Sequence, residues 1–381
     1  MDTNRPARRT ALIAAELCRY DVDIAALSET RLADEGSLSE VGGGYTFFWK
    51  GLPHDARRMH GVGFAIRSSL LSQIPESPVG INERLMTLRL PLIKGRFMTV
   101  VSAYAPTLVS DELTKDSFYS CLRATLQAVP RNDKLVILGD FNARVGKNHN
   151  VWSDIIGKHG LGNANSNGLR LLNLCSEFGL VITNTLFLQR NQRKATWMHP
   201  RSKHWHLLDY VITRARDVAD VHLTRVIRGA ECWTDHRLVV SKFQLKLRPL
   251  IRKQRPQKRL IVRACKDPTV QENLQERMSD LSQDSTGGSI PDATDCQSLT
   301  DEWSTLSSSI MKLAAESLGF SSKKHQDWFD DQRQDIQRLL QAKNAAHVAV
   351  LRNPNFASLR QKWKELRNKL QTDLHQMENT W

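Results

Sequence analysis

Over its first two thirds the chain alternates short apolar runs with amphipathic stretches. The spacing of apolar positions in ALIAAELCRY, residues 11–20, predicts a helix, and it leads into VDIAALSET, a strand whose polar end carries Ser28 and Glu29. Strands are also predicted for YTFFWK from residue 45, GVGFAIR from 61, LMTLRLPL from 85, FMTVVSAYAP from 97 and KLVILGDFN from 134. Three more follow, LVITNT from 180, HLLDYVITR from 206 and LVVSKFQLKL from 238, with helices expected over 111–128 and 168–178. The pattern predicts an α/β fold, a β-sandwich of mixed sheets with helices outside.

The pattern changes after residue 247. Lys246 to Lys266 holds nine Lys or Arg, two prolines and no acid, and a Ser/Gly/Asp-rich stretch around QDSTGGSIPDATD follows. This reads as a basic, then polar, linker over 248–297. Apolar residues then recur at helical spacing, among them Trp328, Phe329, Ile336, Leu340, Trp363 and Leu370, with a break at Asn353-Pro354. The expected organisation is a first domain over 1–247, the linker, and a helical tail over 298–381.

Composition narrows the function classes. With 381 residues, 40% hydrophobic and 25% charged, the chain can bury a core, and no apolar run approaches the ~20 residues of a membrane span. The opening MDTNRPARRT has no apolar segment behind it. The expectation is a protein without a membrane partner, nuclear in the first instance and cytoplasmic in the second. A net charge of +14 favours a polyanionic partner, with solubility alone as the plainer alternative. Six scattered cysteines without a C-x-x-C pair signal neither a disulfide framework nor a zinc site.

Polar groups stand at the ends of several apolar strands: Glu29, Tyr104, the run Gly139-Asp140-Phe141-Asn142, Asp209, and the pair Asp235-His236. Glu29 and Asp235 are hard carboxylates of the kind Mg²⁺ takes, and that ion points to a phosphate ester. Asp140 can orient or deprotonate water, with the Asn142 amide fixing that carboxylate and touching phosphate. His236 and Tyr104 can donate to charge developing on phosphorus, and Asp209 can orient the imidazole. Singly, each has an ordinary role as a cap, turn or surface residue, but their order, each after an apolar strand, is what a shared cleft requires. Trp197, His199 and Arg201, with His204, Trp205 and His206, mix aromatic and basic groups as a nucleic-acid loop does, with packing at a strand edge as the alternative.

The stretches LSETRL, GVGFAIR, SAYAP, ILGDFNARVG, LDYVI and TDHRLV, in this order across residues 10–247, resemble the endonuclease/exonuclease/phosphatase superfamily. Within it, ATWMHPRSKHWHLLDYVITR and AECWTDHRLVV look like the endonuclease domain of LINE-type retrotransposons. The resemblance implies a DNase I-like four-layer α/β/β/α fold. It also implies metal binding at Glu29 and Asp235, phosphate contact at Tyr104 and His236, nucleophile activation at Asp140 and Asn142, and orientation of His236 by Asp209. Mg²⁺ is the implied cofactor, with Mn²⁺ as a substitute, and DNA the implied substrate of a retrotransposon-derived endonuclease.

The superfamily opens with a strand ending in Asn, and this sequence begins at about the loop after it. The expectation is therefore a sheet without its first strand. A catalytically impaired protein that binds nucleic acid or chromatin is the alternative function, and hydrolysis of a phosphoinositide or sphingomyelin by the same core is a third reading. Asn167 and Asn184 resemble polar cleft positions of the family, with turn roles equally open. Three roles are open to the tail: packing on the first domain, contacting another protein, or leading toward a reverse transcriptase, of which no Tyr-x-Asp-Asp signature appears.

Overall fold

The computed structural model describes residues 8–248, 267–284, 296–318 and 328–381. They fall into two compact bodies, one holding the described residues of Met1–Leu250 and Gln326–Trp381, the other those of Ile251–His325. In the first body the order is α1 (Arg9–Arg19), β1 (Ile24–Ser28), β2 (Glu35–Glu40), β3 (Tyr45–Lys50), β4 (Val62–Arg67) and the single turn α2 (Ser68–Leu71). Then come β5 (Val79–Asn82), β6 (Leu85–Pro91), β7 (Phe97–Tyr104), α3 (Glu112–Ala128), β8 (Lys134–Asp140), α4 (Ser166–Phe178) and β9 (Leu180–Ile182). The strands β10 (Trp197–Met198), β11 (Trp205–His206), β12 (Asp209–Arg214), β13 (Val221–Ile227) and β14 (Leu238–Phe243) complete the sandwich.

Four strands pair in the order β1-β4-β3-β2 and six in the order β5-β6-β7-β8-β12-β9, while β10-β11 and β13-β14 form two small ladders. Every pairing is antiparallel except β7 with β8. Alternation along β7 shows how the layers stack. Met98 and Val100 join Phe64, Leu88, Val136 and Val211 in the core between the sheets, while Val101 and Ala103 turn the other way onto Phe118 and Leu122 of α3 and Leu171 of α4. On the outer face of the four-stranded sheet, Ala14 and Leu17 of α1 pack on Ala25, Tyr45, Phe47 and Ala65. The layers are therefore α/β/β/α, the architecture of DNase I-like folds.

Local chemistry sets the ends of the helices. Asp111 accepts a hydrogen bond from the Thr114 N–H at 2.7 Å and starts α3. Asn165 does the same for α4, accepting from the Gly168 N–H at 2.8 Å, and Gly179 at φ 60° ends that helix in the left-handed region. The strand expected from Leu180 stops at Ile182, because Thr183–Thr185 form a 3₁₀ turn. Strands β2, β5 and β13 were not expected; β2 and β5 are sheet edges with alternating exposure, and most of their residues are polar or small.

The helical tail expected over 298–381 divides between the bodies. Its last part, α7 (Trp328–Asp331), α8 (Arg333–Arg352) and α9 (Ala357–Thr380), numbered after the two helices of the second body, packs on the outer side of α1. There Trp328, Phe329, Ile336, Leu370 and Leu374 bury Ala11 and Leu12. The second body contains α5 (Pro268–Asp284) and α6 (Cys296–Leu318), linked by Arg277 Nη2 to Glu316 Oε2 at 2.8 Å. Of the expected basic and polar linker, 249–266 and 285–295 lie outside the described residues. Among the described residues no helix is long and apolar enough to cross a membrane.

Gly139 lets β7 and β8 pair at their C-terminal ends. Its φ is 153°, and a Cβ there would lie 1.8 Å from the Ala103 carbonyl oxygen, a backbone atom of the neighbouring strand. Gly139→Ala is expected to lower unfolding stability by at least about 2 kcal/mol in urea titration, since the backbone itself must shift.

Candidate active site

Strand register assembles the centre of the site. Tyr104, the last residue of β7, pairs with Asp140 at the end of β8, and Asp140 pairs on its other side with Asp209 at the start of β12. Side chains of directly paired residues share a face, here the one turned toward the other sheet. From that other sheet, β1 ends at Ser28, and Glu29 follows at φ 52°. Glu29 Oε1 accepts a hydrogen bond from the Tyr104 hydroxyl at 2.6 Å. Burial first, and then this bond to a carboxylate, raise the Tyr104 pKa well above its ordinary value, so the phenol remains a donor.

Asp140 is buried, and its Oδ1 accepts from the Asn142 backbone N–H at 2.8 Å. The Asn142 side chain, expected to fix that carboxylate, instead donates to the Ala105 carbonyl at 3.0 Å; its φ of 46° turns the main-chain N–H to Asp140 and the amide away. Asn167, also buried, donates to the Asn142 and Pro106 carbonyls at 3.0 and 3.2 Å and so braces the same turn. Burial, then the charge of Asp209, raises the Asp140 pKa, with His236 and the Asn142 N–H opposing.

His236 Nδ1 donates to Asp209 Oδ2 at 2.9 Å, and its Nε2 lies 4.0 Å from Asp140 Oδ2. Burial alone would lower its pKa, but the charge and hydrogen bond of Asp209, then Asp140 and Asp235, outweigh that and raise it to about 10. Asp235 Oδ2 accepts from the Trp197 indole N–H at 2.8 Å, and Trp197 forms an isolated bridge to His236. The position of Asp209 is itself fixed on both sides. Its carbonyl accepts from Asn184 Nδ2 at 3.1 Å, and the Thr196 hydroxyl accepts from the Leu208 and Asp209 N–H groups at 3.0 and 3.4 Å.

Glu29, Asp140, Asn142, Asp209, Asp235 and His236 line one cleft of about 1810 Å³, whose other walls include β1 and β14. Trp197 and His199 stand in the same lining, their rings edge to face with centroids 5.6 Å apart. Arg201 lies on the exposed turn between β10 and β11, outside the lining. Asp140, Asp209 and His236 present ligand atoms all within 4.8 Å of one another. Glu29 and Asp235 open on the same cleft but are held by Tyr104 and Trp197 respectively. Four carboxylates around one cleft are the oxygen donors a hard divalent cation takes, so the residues present fit such an ion.

Two supporting residues were invisible in the sequence. Arg84 Nη1 donates to the Tyr104 carbonyl at 3.2 Å, with its guanidinium 5.2 Å from the Tyr104 ring centre. In the sequence it follows Glu83 directly and precedes an apolar run, a charged pair that marks no more than the start of a strand. Thr196 carried no signal, because its value lies in being fully buried beside Asp209.

The family model described as the endonuclease/exonuclease/phosphatase family matches residues 1–236, and the chain belongs to that family. It is 32% identical over 250 residues to craniofacial development protein 2 of Bos taurus, covering 64% of this chain and 40% of that protein. The identity to craniofacial development protein 2 of Tragulus javanicus is also 32%, over 41% of that protein, so the chain spans about two fifths of the length of these relatives. Among solved structures it is similar to the endonuclease domain of TRAS1, a telomere-specific non-LTR retrotransposon, at 13% identity and a TM-score of 0.42, over 63% of this chain and 94% of that one. It is also similar to the 3′-5′ exonuclease NExo of Neisseria meningitidis, at 18% identity and a TM-score of 0.42, over 63% of this chain and 96% of that one.

A pKa raised from 6.5 to about 10 means that His236 stabilises the fold fully below pH 6.5 and ceases to as pH rises through about 10. With chelator present, NMR of the His236 ring is expected to show an imidazolium still at pH 8, and Asp209→Asn is expected to return the midpoint toward 6.5. A neutral ring at pH 8 in the parent chain contradicts this electrostatic account.

Proposed function

We propose that the chain hydrolyses phosphodiester bonds in DNA as a Mg²⁺-dependent endonuclease of LINE retrotransposon descent. The observation that carries this reading is the row Tyr104, Asp140, Asp209 with His236 set against it. Asp140, buried and raised in pKa, suits a group that takes a proton from water near neutrality. His236, kept protonated by Asp209, offers Nε2–H to a phosphate oxygen, and the 4.0 Å between Nε2 and Asp140 Oδ2 leaves room for reacting groups. Tyr104 holds Glu29, and Trp197 holds Asp235, so both carboxylates are oriented before any ion arrives. A divalent ion bound among Glu29, Asp140, Asp209 and Asp235 supplies neutralisation of the phosphate charge.

DNA as the substrate is supported by the net charge of +14 and by the aromatic and basic ledge beside the cleft. There Trp197 and His199 pack edge to face in the cleft lining, the Arg237 guanidinium lies 3.3 Å from the centre of the half-exposed Trp205 ring on the paired strand, and Arg201 stands on the turn between the two strands. These groups offer base stacking and phosphate contact together. A nuclear site of action goes with a DNA substrate.

Nicking of supercoiled plasmid in Mg²⁺ is expected, with its loss in chelator and a fall of about a hundredfold or more in Asp140→Ala. Equal nicking by the parent and Asp140→Ala means a contaminating nuclease and removes the proposal. Release of product from a short-chain phosphoinositide instead of DNA would move the substrate to lipids.

A further inference from the structure

We propose that the helical pair α8–α9 is a brace for the loop carrying Asp235 and His236, and that Glu231, Lys343 and Arg367 are positioning residues for the site. The loop 228–237 joins β13 to β14 and has two anchors. At its far end the Arg237 N–H donates to the Thr196 carbonyl at 2.8 Å and His236 bridges to Trp197. The near end is held by the C-terminal helices.

Glu231 is the centre of that near anchor. Lys343 Nζ from α8 donates to Glu231 Oε2 at 3.1 Å and to its carbonyl at 3.0 Å. Arg367 Nε from α9 lies 3.2 Å from Glu231 Oε1, and the same carboxylate accepts from the Trp233 N–H at 3.3 Å. Lys343 is completely buried, which for an ammonium is costly unless it is paired, and its partners are both atoms of Glu231. Trp233 sits at φ 54° with Lys343 Nζ 4.8 Å and Arg367 Cζ 5.8 Å from its ring centre. It packs against the cluster that α1 shares with Phe329, Ile336 and Leu370.

Chain geometry transmits this hold to the site. Trp233 fixes the direction in which Thr234 leaves; the Thr234 hydroxyl accepts from the His236 N–H at 3.2 Å, and Asp235 stands between them. With the anchor lost, the near side keeps its root contacts, Arg19 Nη2 to the Gly229 carbonyl and Arg228 Nη1 to Gln192 Oε1, both at 2.7 Å, but the stretch from Glu231 to Thr234 that leads to Asp235 and His236 loses its hold. A carboxylate held by two cations from α8 and α9 does more than fill space, because it fixes the near end of the segment that carries Asp235 and His236.

The effect on chemistry rests on the nuclease reading above, whereas the brace itself does not. The test is hydrogen exchange by mass spectrometry on the full chain in chelator, comparing the parent with Lys343→Met and Lys343→Arg. Amides of 232–236 are expected to exchange about tenfold faster in Lys343→Met, with β7 and β8 unchanged and Lys343→Arg close to the parent. In nicking assays the same variant is expected to lose about tenfold in kcat with KM for plasmid within about twofold, and Lys343→Arg to recover it. Loop exchange in a folded Lys343→Met chain that matches the parent overturns the brace. Should Lys343→Met fail to fold, Arg367→Met, at a partly exposed position, decides on the same readouts. A parent chain that does not nick removes the nuclease reading, and the exchange data still decide the brace.

Discussion

One row of paired residues, Tyr104 to Asp140 to Asp209, decides where everything else in the molecule must go. A shift of one residue in either pairing would turn a carboxylate from the space between the sheets to the helix-covered face. Three devices hold the register. Gly139 allows the ends of β7 and β8 to close, Thr196 and Asn184 grip the start of β12, and Arg84 ties down the carbonyl of Tyr104. The row ends under the loop between β13 and β14, so its carboxylates are desolvated but not sealed. Burial and mutual repulsion then push Asp140 toward its neutral form while Asp209 draws a proton onto His236. Both pKa values are raised, and both draw on one arrangement, two acids set side by side on adjacent strands.

Charge is distributed unevenly to match. The chain as a whole is strongly basic, yet the candidate site within the cleft gathers four carboxylates, Glu29, Asp140, Asp209 and Asp235. A polyanion is drawn to the protein at long range and meets, at the site itself, a group of acids that repels it until a cation or a protonated imidazole intervenes. His236 provides part of that compensation from within the chain. Trp197 links the two regions, with its ring in the aromatic ledge and its N–H committed to Asp235.

How legible this was from sequence follows burial. Strands β7, β8 and β12 have both faces covered and read as continuous apolar runs, with their polar last or first residues conspicuous against them. The same reading brought out Glu29, Asp140, Asp209 and His236, which the fold does bring to one cleft. Edge strands β2 and β5 escaped because exposure on alternate residues makes them resemble loops. The turn at Asn142 was misjudged in detail, since a positive φ exchanged the roles of its backbone and side chain. Thr196 and Arg84 act through carbonyl and amide groups of their neighbours, and no spacing rule exposes that. Nor could periodicity reveal that the helical tail belongs to two bodies, or that a lysine on one of its helices reaches back to Glu231.

That last contact spans 112 residues, and it imposes an order of events on synthesis. The sheets, the carboxylate row and the Thr234–His236 segment all leave the ribosome while Lys343 and Arg367 are still unmade. For that interval the nascent domain has its acids in place and the near end of their loop untethered. With the brace proposed above, synthesis of α8 and α9 is the step at which that loop is tethered, and a chain stopped before them carries Asp235 and His236 without that hold.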